Sequence, residues 1–594
     1  MSSGKVRLTP RDLAAGSGPV AAGDGDSLAS SLRPAWSRRA RVQLVVSSAA
    51  TIAGFAGLIF LLYATSAHHQ VGTSDRATVI LEGQAIGSGH LLLHGWSLTL
   101  ASYWTSDAPF YAVAVRLDGL RPGLLYLGPA VMGALIIAAG VLIAREGRRG
   151  APGLAGGATV VALLAFAAPA LAFYFVGSGF HVSTALYALV AFAALRRGRF
   201  GWGWALAVVL LALGMFGDLL IVAYGVAPLL LAGLVAALRQ RRWRSGAADV
   251  SAAAASVVLG EVARRLFAAL GAFRSRTASI GKPGQMLTNL EHVPTYVGDL
   301  VGLTGYAADR IGLIGGLSNS GAVPLVLRGV YVVGTMCVLA CFLAALASLV
   351  TGALGRRPRK LSTGEPELWR LDDLLLIATL CSVMPFVILA RPDGAGVRYL
   401  TVSIVLASVL TGRMIARAWP KIPTGWPVRG LAILGVAVSL GYASGLGYAL
   451  SRPGPPDPVP SLVAWLEAHG LRSGIGDYWA ASITTVESSG AVTVRPVTAG
   501  GGEVRPMTNL SCASWYAGQH FQFLVYETPH FADVDMRSAT KTWGAPKGIY
   551  VIGSYHVLVW GHRLTVGSFP RESSAAFHVH KGLAGPGMPH RGEQ

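Results

Sequence analysis

Charge is scarce in this chain. Of 594 residues, 13% are Asp, Glu, Lys or Arg, against roughly 25% in an ordinary soluble domain. Acids are rarer than bases, 29 against 49. That deficit excludes a purely water-soluble globule. Cysteine is nearly absent: Cys337, Cys341 and Cys381 fall in apolar runs, and Cys512 stands alone near the C-terminus. No disulfide framework is expected within the soluble part, and the i, i+4 pair Cys337/Cys341 suits a small apolar interface better than a metal. There is no Walker loop, no Rossmann glycine pattern on a strand–helix unit and no GxSxG elbow, so nucleotide hydrolysis within the chain is not expected. Internal repeats are missing too, although many transporters are built from them.

What is present is apolar length. The composition is 53% hydrophobic, and the mean hydropathy is +0.52. About eleven stretches approach the roughly 20 residues needed to cross a bilayer. They are separated alternately by Arg-rich turns and by loops with little positive charge. Arg33, Arg38, Arg39 and Arg41 precede the first span, and further clusters follow at Arg145/Arg148/Arg149, Arg196/Arg197/Arg199, RQRRWR (239–244), GRRPRK (355–360) and Arg413/Arg417/Lys421. The positive-inside bias then predicts a cytoplasmic N-terminus, an odd number of spans and an external C-terminus in the plasma membrane. It also accounts for much of the +20 net charge without nucleic acid. The stretch at about 247–270, with Glu261, Arg264 and Arg265 near its outer end, is the weakest span.

The expected fold is an α-helical polytopic membrane protein with about eleven transmembrane helices and a small C-terminal α/β extracytoplasmic domain. Residues 1–32 read as a disordered cytoplasmic tail. The transmembrane part covers 33–450, with external loops at 66–122 and 271–320. A Pro-rich linker, SRPGPPDPVP, covers 451–460, the external domain 461–570 and a flexible tail 571–594. Within that domain SLVAWLEAHG predicts a short helix stopped at Gly470. AVTVRPV, QFLVYET and IYVIGSYHVLVWG predict strands.

The first external loop carries the residues best suited to chemistry. Asp75 follows the first span closely. Glu82 lies in a helix-compatible stretch, and Trp104-Thr-Ser-Asp107-Ala-Pro109-Phe110 turns into another apolar run. A carboxylate near the membrane surface is partly desolvated, which raises its proton affinity and suits a general base. The plainer alternative is that Asp75 and Asp107 cap helices.

Asp75, the run Ala85-Ile-Gly-Ser-Gly89, and Tyr103-Trp104 with Asp107-Ala-Pro109 occur in the order seen in the first external loop of the GT-C class of membrane glycosyltransferases. The loop resembles that class, which includes protein O-mannosyltransferases and enzymes that transfer aminoarabinose to lipid A. Where the class usually has Asp-Glu at the first site, this chain has Asp75-Arg76. The resemblance implies a hexosyltransferase-type enzyme that moves a sugar from a polyprenyl-phosphate carrier to an envelope glycan, lipid or protein on the outer face. Asp75 would be the general base of an inverting transfer, and Asp107 would orient the acceptor or assist the base. Some members of the class are metal-assisted, so a divalent ion, magnesium or manganese, could lie between acid and phosphate.

A lipid phosphate leaving group needs a cation. Arg398, in Arg398-Tyr399-Leu400 at the outer mouth of a span, is the first candidate, since its fork donates two parallel hydrogen bonds. Arg264 and Arg265 also lie outward, and Arg391 is a weaker candidate. Each of these would otherwise be a snorkelling anchor. Asp218, at an outer turn, is a candidate by its membrane depth, or a solvated turn residue. His181 could meet a phosphate or hydroxyl, or be a structural histidine. Trp104 could face a sugar ring, as could the aromatic runs at Tyr478-Trp479 and Trp515-Tyr516 unless they pack a core. His90 and His94 would share a helical face, yet no partner spacing supports zinc. Two other classes stay open: a transporter or lipid flippase, and a non-catalytic membrane protein whose tail binds envelope polymers.

Overall fold

The computed structural model describes residues 38–69, 73–177, 181–196, 200–241, 243–275, 280–303, 324–353, 368–389, 394–454, 456–528, 534–567 and 569. The expected tails at 1–32 and 571–594, and Arg391, lie outside these. Residues up to Gly57 form one unit, which ends in the first part of helix α1 (Arg38–His69); Leu58 onward form the second. All contacts below belong to the second.

Helices occupy every expected span. After α1 come the loop elements α2 (Ser74–Gly87), β1 (Trp96–Leu98) and α3 (Asp107–Asp118). Then follow α4 (Leu124–Arg145) and α5 (Ala151–Ala165), which bends by 82° into α6 (Pro169–Ala172) and a π turn to Gly177. Pro169 explains the bend, because it lacks the N–H an unbroken helix needs and pushes Ala168 out of helical geometry. Next are α7 (Val182–Leu195), α8 (Trp202–Gly217), α9 (Ala227–Gln240) and α10 (Ala247–Ala269). The second long loop contains β2 (Arg274–Ser275) and α11 (Pro283–Leu300); α12 (Leu325–Ala353), α13 (Leu368–Cys381), α14 (Met384–Ile388), α15 (Thr401–Ala418) and α16 (Trp426–Leu450) complete the membrane part. Among the described residues seven helices are long and apolar enough to span alone, and the bent α5–α6 pair makes an eighth.

The other three spans are marginal. The α10 segment is too polar for that test, and α7 and α8 have 14 and 16 residues. At 1.5 Å per residue, α7 and α8 reach only about 21 and 24 Å, short of a core of about 30 Å. The first long loop bonds onto them. Tyr103 N–H donates to Gly217 O at 2.9 Å, Thr105 Oγ1 to Leu213 O at 2.7 Å and Tyr187 Oη to Thr105 O at 2.5 Å. Gly217 permits this approach, since a Cβ there would lie 2.3 Å from Thr105 Oγ1.

At the Arg-rich end of the bundle the turns interlock by charge. Arg413 is fully buried and meets Glu146 at 2.5 Å and Asp372 at 2.6 Å. Arg196 reaches the same Glu146 at 2.6 Å, while Arg417 pairs with Asp372 and Arg239 with Asp373. Part of the basic excess is therefore matched inside the protein.

The C-terminal module comprises α17 (Val459–Ala468), β3 (Ser473–Gly476), α18 (Tyr478–Glu487), β4 (Thr493–Gly500), β5 (Glu503–Pro506), β6 (Ser511–Cys512), β7 (Phe521–Glu527), α19 (Met536–Trp543), β8 (Gly548–Ile552) and β9 (Tyr555–Leu564). Its sheet has the order β5-β4-β3-β7-β9-β8, with β3 parallel to β4 and β7 and the outer pairs antiparallel. The run IYVIGSYHVLVWG folds as a hairpin around Gly553-Ser554. Both sheet faces are buried, as the period-two pleat requires. Phe523 and Val525 join one core, Leu524 and Tyr526 the other.

The first of these cores is not private to the module. It contains Ile80, Leu93, Trp96, Leu98 and Tyr103 of the first loop together with Leu462, Leu466, Ile483 and Val486. A three-stranded sheet, β2-β1-β6, joins the first loop, the second loop and the module. The two long loops and the C-terminal module thus fold together on one end of the bundle.

Candidate functional site

Asp75 lies in the first turn of α2, whose N-cap position is Thr73. The Asp75 side chain is 24% exposed, and Oδ1 accepts a hydrogen bond from the Tyr478 hydroxyl at the start of α18. Burial pushes the Tyr478 phenol well above its ordinary range, with the neighbouring Asp75 charge adding to the effect, so Tyr478 is a donor at any physiological pH. The other oxygen, Oδ2, is 4.0 Å from Nη1 of Arg398.

Arg398 sits in the tight turn Gly394–Leu400 that leads into α15. Its guanidinium lies 5.3 Å from the centre of the Tyr399 ring, and Nη2 is 3.5 Å from the Tyr399 hydroxyl. Nε is buried and has no hydrogen-bond partner among the described residues. A buried donor without an acceptor costs free energy, so this guanidinium is poised to take an anion.

The Tyr399 ring continues toward His181, 5.1 Å away between centres, and His181 lies 5.9 Å from Tyr103. His181 precedes α7 with φ at 66°, a left-handed conformation, and such backbone is uncommon for a residue with a side chain. Its Nδ1 is 2.9 Å from Asp218 Oδ2, which also accepts from Thr184 Oγ1 at 2.8 Å. Asp218 Oδ1 accepts from Leu220 N–H at 3.0 Å. Burial alone would raise the Asp218 carboxyl, yet the His181 contact and these donors hold it below the usual range. Asp218 therefore fixes the imidazole by Nδ1, leaving Nε2 for other chemistry.

Asp107, in the first turn of α3, accepts from Ser106 Oγ at 2.7 Å and Ser183 Oγ at 2.6 Å. Withdrawal from water pushes its carboxyl above the usual range, and the two hydroxyls offset only part of the shift. Asp107 and Asp218, joined through neighbouring residues at the start of α7, are thus tuned in opposite directions. Environments that separate two acids in this way are common where acid and base roles are divided.

The structure brings Asp75, Arg398, Tyr399, His181 and Asp218 into one connected group, with Asp107 bonded to its edge. Neither acid occupies a cap position; each lies inside the first turn. Arg264 and Arg265 hydrogen-bond to Glu261 on the same helix, on an exposed part of α10. Trp104 donates its indole N–H to Leu91 O at 2.8 Å and packs edge-on against Phe216 and Phe267. The two loop histidines lie beyond the end of α2 at Gly87 and share no helix; His94 Nδ1 donates to Gly271 O at 2.7 Å.

A divalent ion does not fit this arrangement well. No group of three His, Cys, Asp or Glu side chains suited to a metal occurs among the described residues. One Asp75 oxygen already accepts from Tyr478, and the other faces a guanidinium. No step below runs through a metal.

Sequence reasoning did not assign Tyr478 to this site. Its signal, an aromatic run after Gly476-Asp477, reads more readily as core packing than as a sugar-facing surface. Arg76 and Glu82 were also unassigned. Arg76 is buried, with Nη1 donating to Leu125 O at 2.6 Å. Glu82 is 1% exposed, and its Oε2 has no partner among the described residues.

No protein-family model matches the chain, and no curated protein matches it. Among solved structures it is similar to ArnT from Cupriavidus metallidurans bound to undecaprenyl phosphate, with 14% identity and a TM-score of 0.49 over 86% of this chain and 98% of that one. It is also similar to the Archaeoglobus fulgidus oligosaccharyltransferase in complex with Zn and sulfate, with 12% identity and a TM-score of 0.43 over 80% and 67%. Likenesses of this degree carry no residue-level correspondence.

Proposed function

We propose that the chain is a membrane glycosyltransferase that moves a sugar from a polyprenyl-phosphate carrier to a hydroxyl-bearing acceptor at the outer face of the plasma membrane. One observation carries this reading: a carboxylate whose Oδ2 stands 4.0 Å from an arginine, that arginine's Nε lacking a partner among the described residues. These are the two groups such a transfer needs, a base for the incoming hydroxyl and a cation for the departing phosphate.

In the reaction, Asp75 Oδ2 takes the proton of the acceptor hydroxyl. The oxygen attacks the anomeric carbon from the face opposite the phosphate, the bond from that carbon to the phosphate oxygen breaks, and the configuration inverts. Arg398 meets the phosphate as its charge grows, with two N–H groups in a fork. His181, oriented by Asp218, offers Nε2 to a phosphate or hydroxyl oxygen. Asp107, with Ser183 and Ser106, orients the acceptor. The Arg-rich turns at the other end of the bundle support an outward-facing site by the positive-inside bias.

The test is transfer of label from radiolabelled polyprenyl-phosphate hexoses and pentoses to crude envelope acceptors. Asp75→Asn should cut turnover by about 10²–10⁴-fold, the usual weight of a general base, with undecaprenyl phosphate binding retained. Wild-type turnover in that variant would remove the base from this position. A flippase or an envelope-binding protein would transfer no label in either form.

A further inference from the structure

The base is oriented from outside the membrane part. Its fixed oxygen accepts from Tyr478, 403 positions away in the chain. The contact is one of several buried polar links between α2 and α18. Ser74 Oγ donates to Trp479 O at 2.8 Å, Ile483 N–H donates back to Ser74 Oγ at 3.3 Å, and the hydroxyls of Thr78 and Ser482 meet at 2.9 Å. Ser74, Thr78 and Ser482 are all fully buried.

Tyr478 is itself placed by the sheet. It follows Asp477, the N-cap of α18, whose Oδ1 accepts from Ala480 N–H at 2.8 Å and whose Oδ2 accepts from Glu527 N–H at 2.7 Å. Asp477 N–H donates to Val525 O at 3.0 Å. The start of α18 is thereby tied to β7, and through β7 to the middle of the six-stranded sheet. A rigid element presents one hydroxyl to one carboxylate oxygen, which leaves the second oxygen on the side of Arg398.

We infer that Tyr478 is the positioning residue of the Asp75 base, and that the C-terminal module is thereby part of the catalytic unit. The inference rests on the transferase reading above. A base oriented by a third group is a general arrangement for activating a hydroxyl. Here the orienting group comes from a module that would otherwise be read as a separate envelope-binding domain. Asp75 lies in the first turn of its helix, where the backbone leaves its side-chain rotamer open; the phenol removes that freedom. Without the phenol the carboxylate can leave the orientation in which Oδ2 receives the acceptor proton.

The test uses the full chain in lipid nanodiscs. Tyr478→Phe keeps the ring and removes only the hydroxyl. With the radiolabelled polyprenyl-phosphate panel, kcat should fall about 10- to 100-fold, the range of one hydrogen bond to a charged group, while KM for the lipid donor and the melting temperature stay close to wild type. A fall in melting temperature with kcat unchanged would make the contact structural and overturn the inference. Unchanged kcat in Tyr478→Phe, beside loss of turnover in Asp75→Asn, would overturn it while leaving the transferase reading intact. Wild-type turnover in Asp75→Asn would remove the base from this position and the inference with it, and no label transfer by the wild-type chain would remove the transferase reading. A second measurement needs no substrate. With 3-fluorotyrosine at position 478, the fluorine resonance should move on Asp75→Asn and stay in place on Glu487→Gln, at the far end of α18. A resonance indifferent to Asp75→Asn would show that the phenol does not touch the carboxylate, and the inference would fail.

Discussion

Replacement of Arg398 by alanine should weaken binding of undecaprenyl phosphate about 100-fold. The guanidinium is 27% exposed, and its Nε has no partner among the described residues. A phosphate can therefore take two donors without breaking a strong existing bond; the nearest competitor, the Tyr399 hydroxyl, is 3.5 Å from Nη2. A hydrogen bond to a charged group contributes about 1.5–3 kcal/mol. Asp75, at 4.0 Å, offsets part of the gain, because an arriving phosphate shares the cation with it. At an effective dielectric of about 20 that pair would be worth about 4 kcal/mol, but both side chains are about a quarter exposed, and solvent screening brings such pairs toward 1 kcal/mol. Two bonds less this competition leave about 3 kcal/mol, or roughly 100-fold in Kd. Arg398→Lys keeps the charge and loses the fork, so about 10-fold is expected. Titration of undecaprenyl phosphate into protein in nanodiscs measures both. If the Kd of Arg398→Ala stays within about twofold of wild type, Arg398 does not hold the phosphate and the reasoning from its unpaired donor is wrong.

Glu82→Gln should match wild type in thermal stability near pH 4 and melt higher at pH 8. Burial pushes the Glu82 carboxyl well above its ordinary range, so its contribution to stability is complete only below the unfolded value of about 4.3 and is lost as pH rises toward the folded value; equal melting temperatures at pH 8 would refute this. Arg413→Met should lower the melting temperature by an amount equivalent to about 3 kcal/mol. That is the lower end for a broken buried pair, because Glu146 keeps Arg196 and Asp372 keeps Arg417. Addition of Glu146→Gln to that variant should restore part of the loss, and no recovery would argue against a charge effect.

The membrane architecture was legible because the bilayer imposes simple rules. Apolar length and alternating arginine located a helix at each expected span, of which seven, or eight with the bent pair, are long and apolar enough to cross a membrane among the described residues, and β-branched runs located β4, β7 and the β8–β9 hairpin. Two departures have local causes. The third span bends at Pro169, and α7 and α8 stop short because His181 and Asp218 each lie beyond a helix end. The site was legible where one residue had a reason to stand out in its own neighbourhood: an acid just beyond a span, or an arginine at an outer mouth. Sequence could not rank Arg398 above Arg264 and Arg265, since all three are basic residues near an outer end. The structure separates them by Glu261, which takes both α10 arginines one turn away, whereas Arg398 has no such neighbour on its own turn. Trp104 was equally visible as an aromatic, but whether its face met a sugar or Phe216 and Phe267 depended on contacts across two spans.

Tyr478 shows a different limit. Nothing within ten residues of it names its partner, and its burial is that of an ordinary core tyrosine. Its role depends on α18 lying along α2, which in turn depends on a core that mixes Ile80 and Tyr103 of the first loop with Ile483 and Val486 of the module. The same packing fixes α2 from its other side, where a Cβ on Gly83 would lie 2.5 Å from the Tyr111 Cβ of α3 and one on Gly87 2.8 Å from Ala112 O. α2 is therefore clamped between α3 of its own loop and α18 of the C-terminal module. Asp75 inherits its position from both. A general base that must stay within a few ångströms of a membrane-mouth arginine, on a loop helix of only 14 residues, needs such a two-sided clamp. A 14-residue helix is marginal by itself, and packing on one face alone would leave it free to roll. The module fits this need better than the role of a separate appendage, because its links to α2 are concentrated around Ser74, Asp75 and Thr78, the one turn that carries the carboxylate.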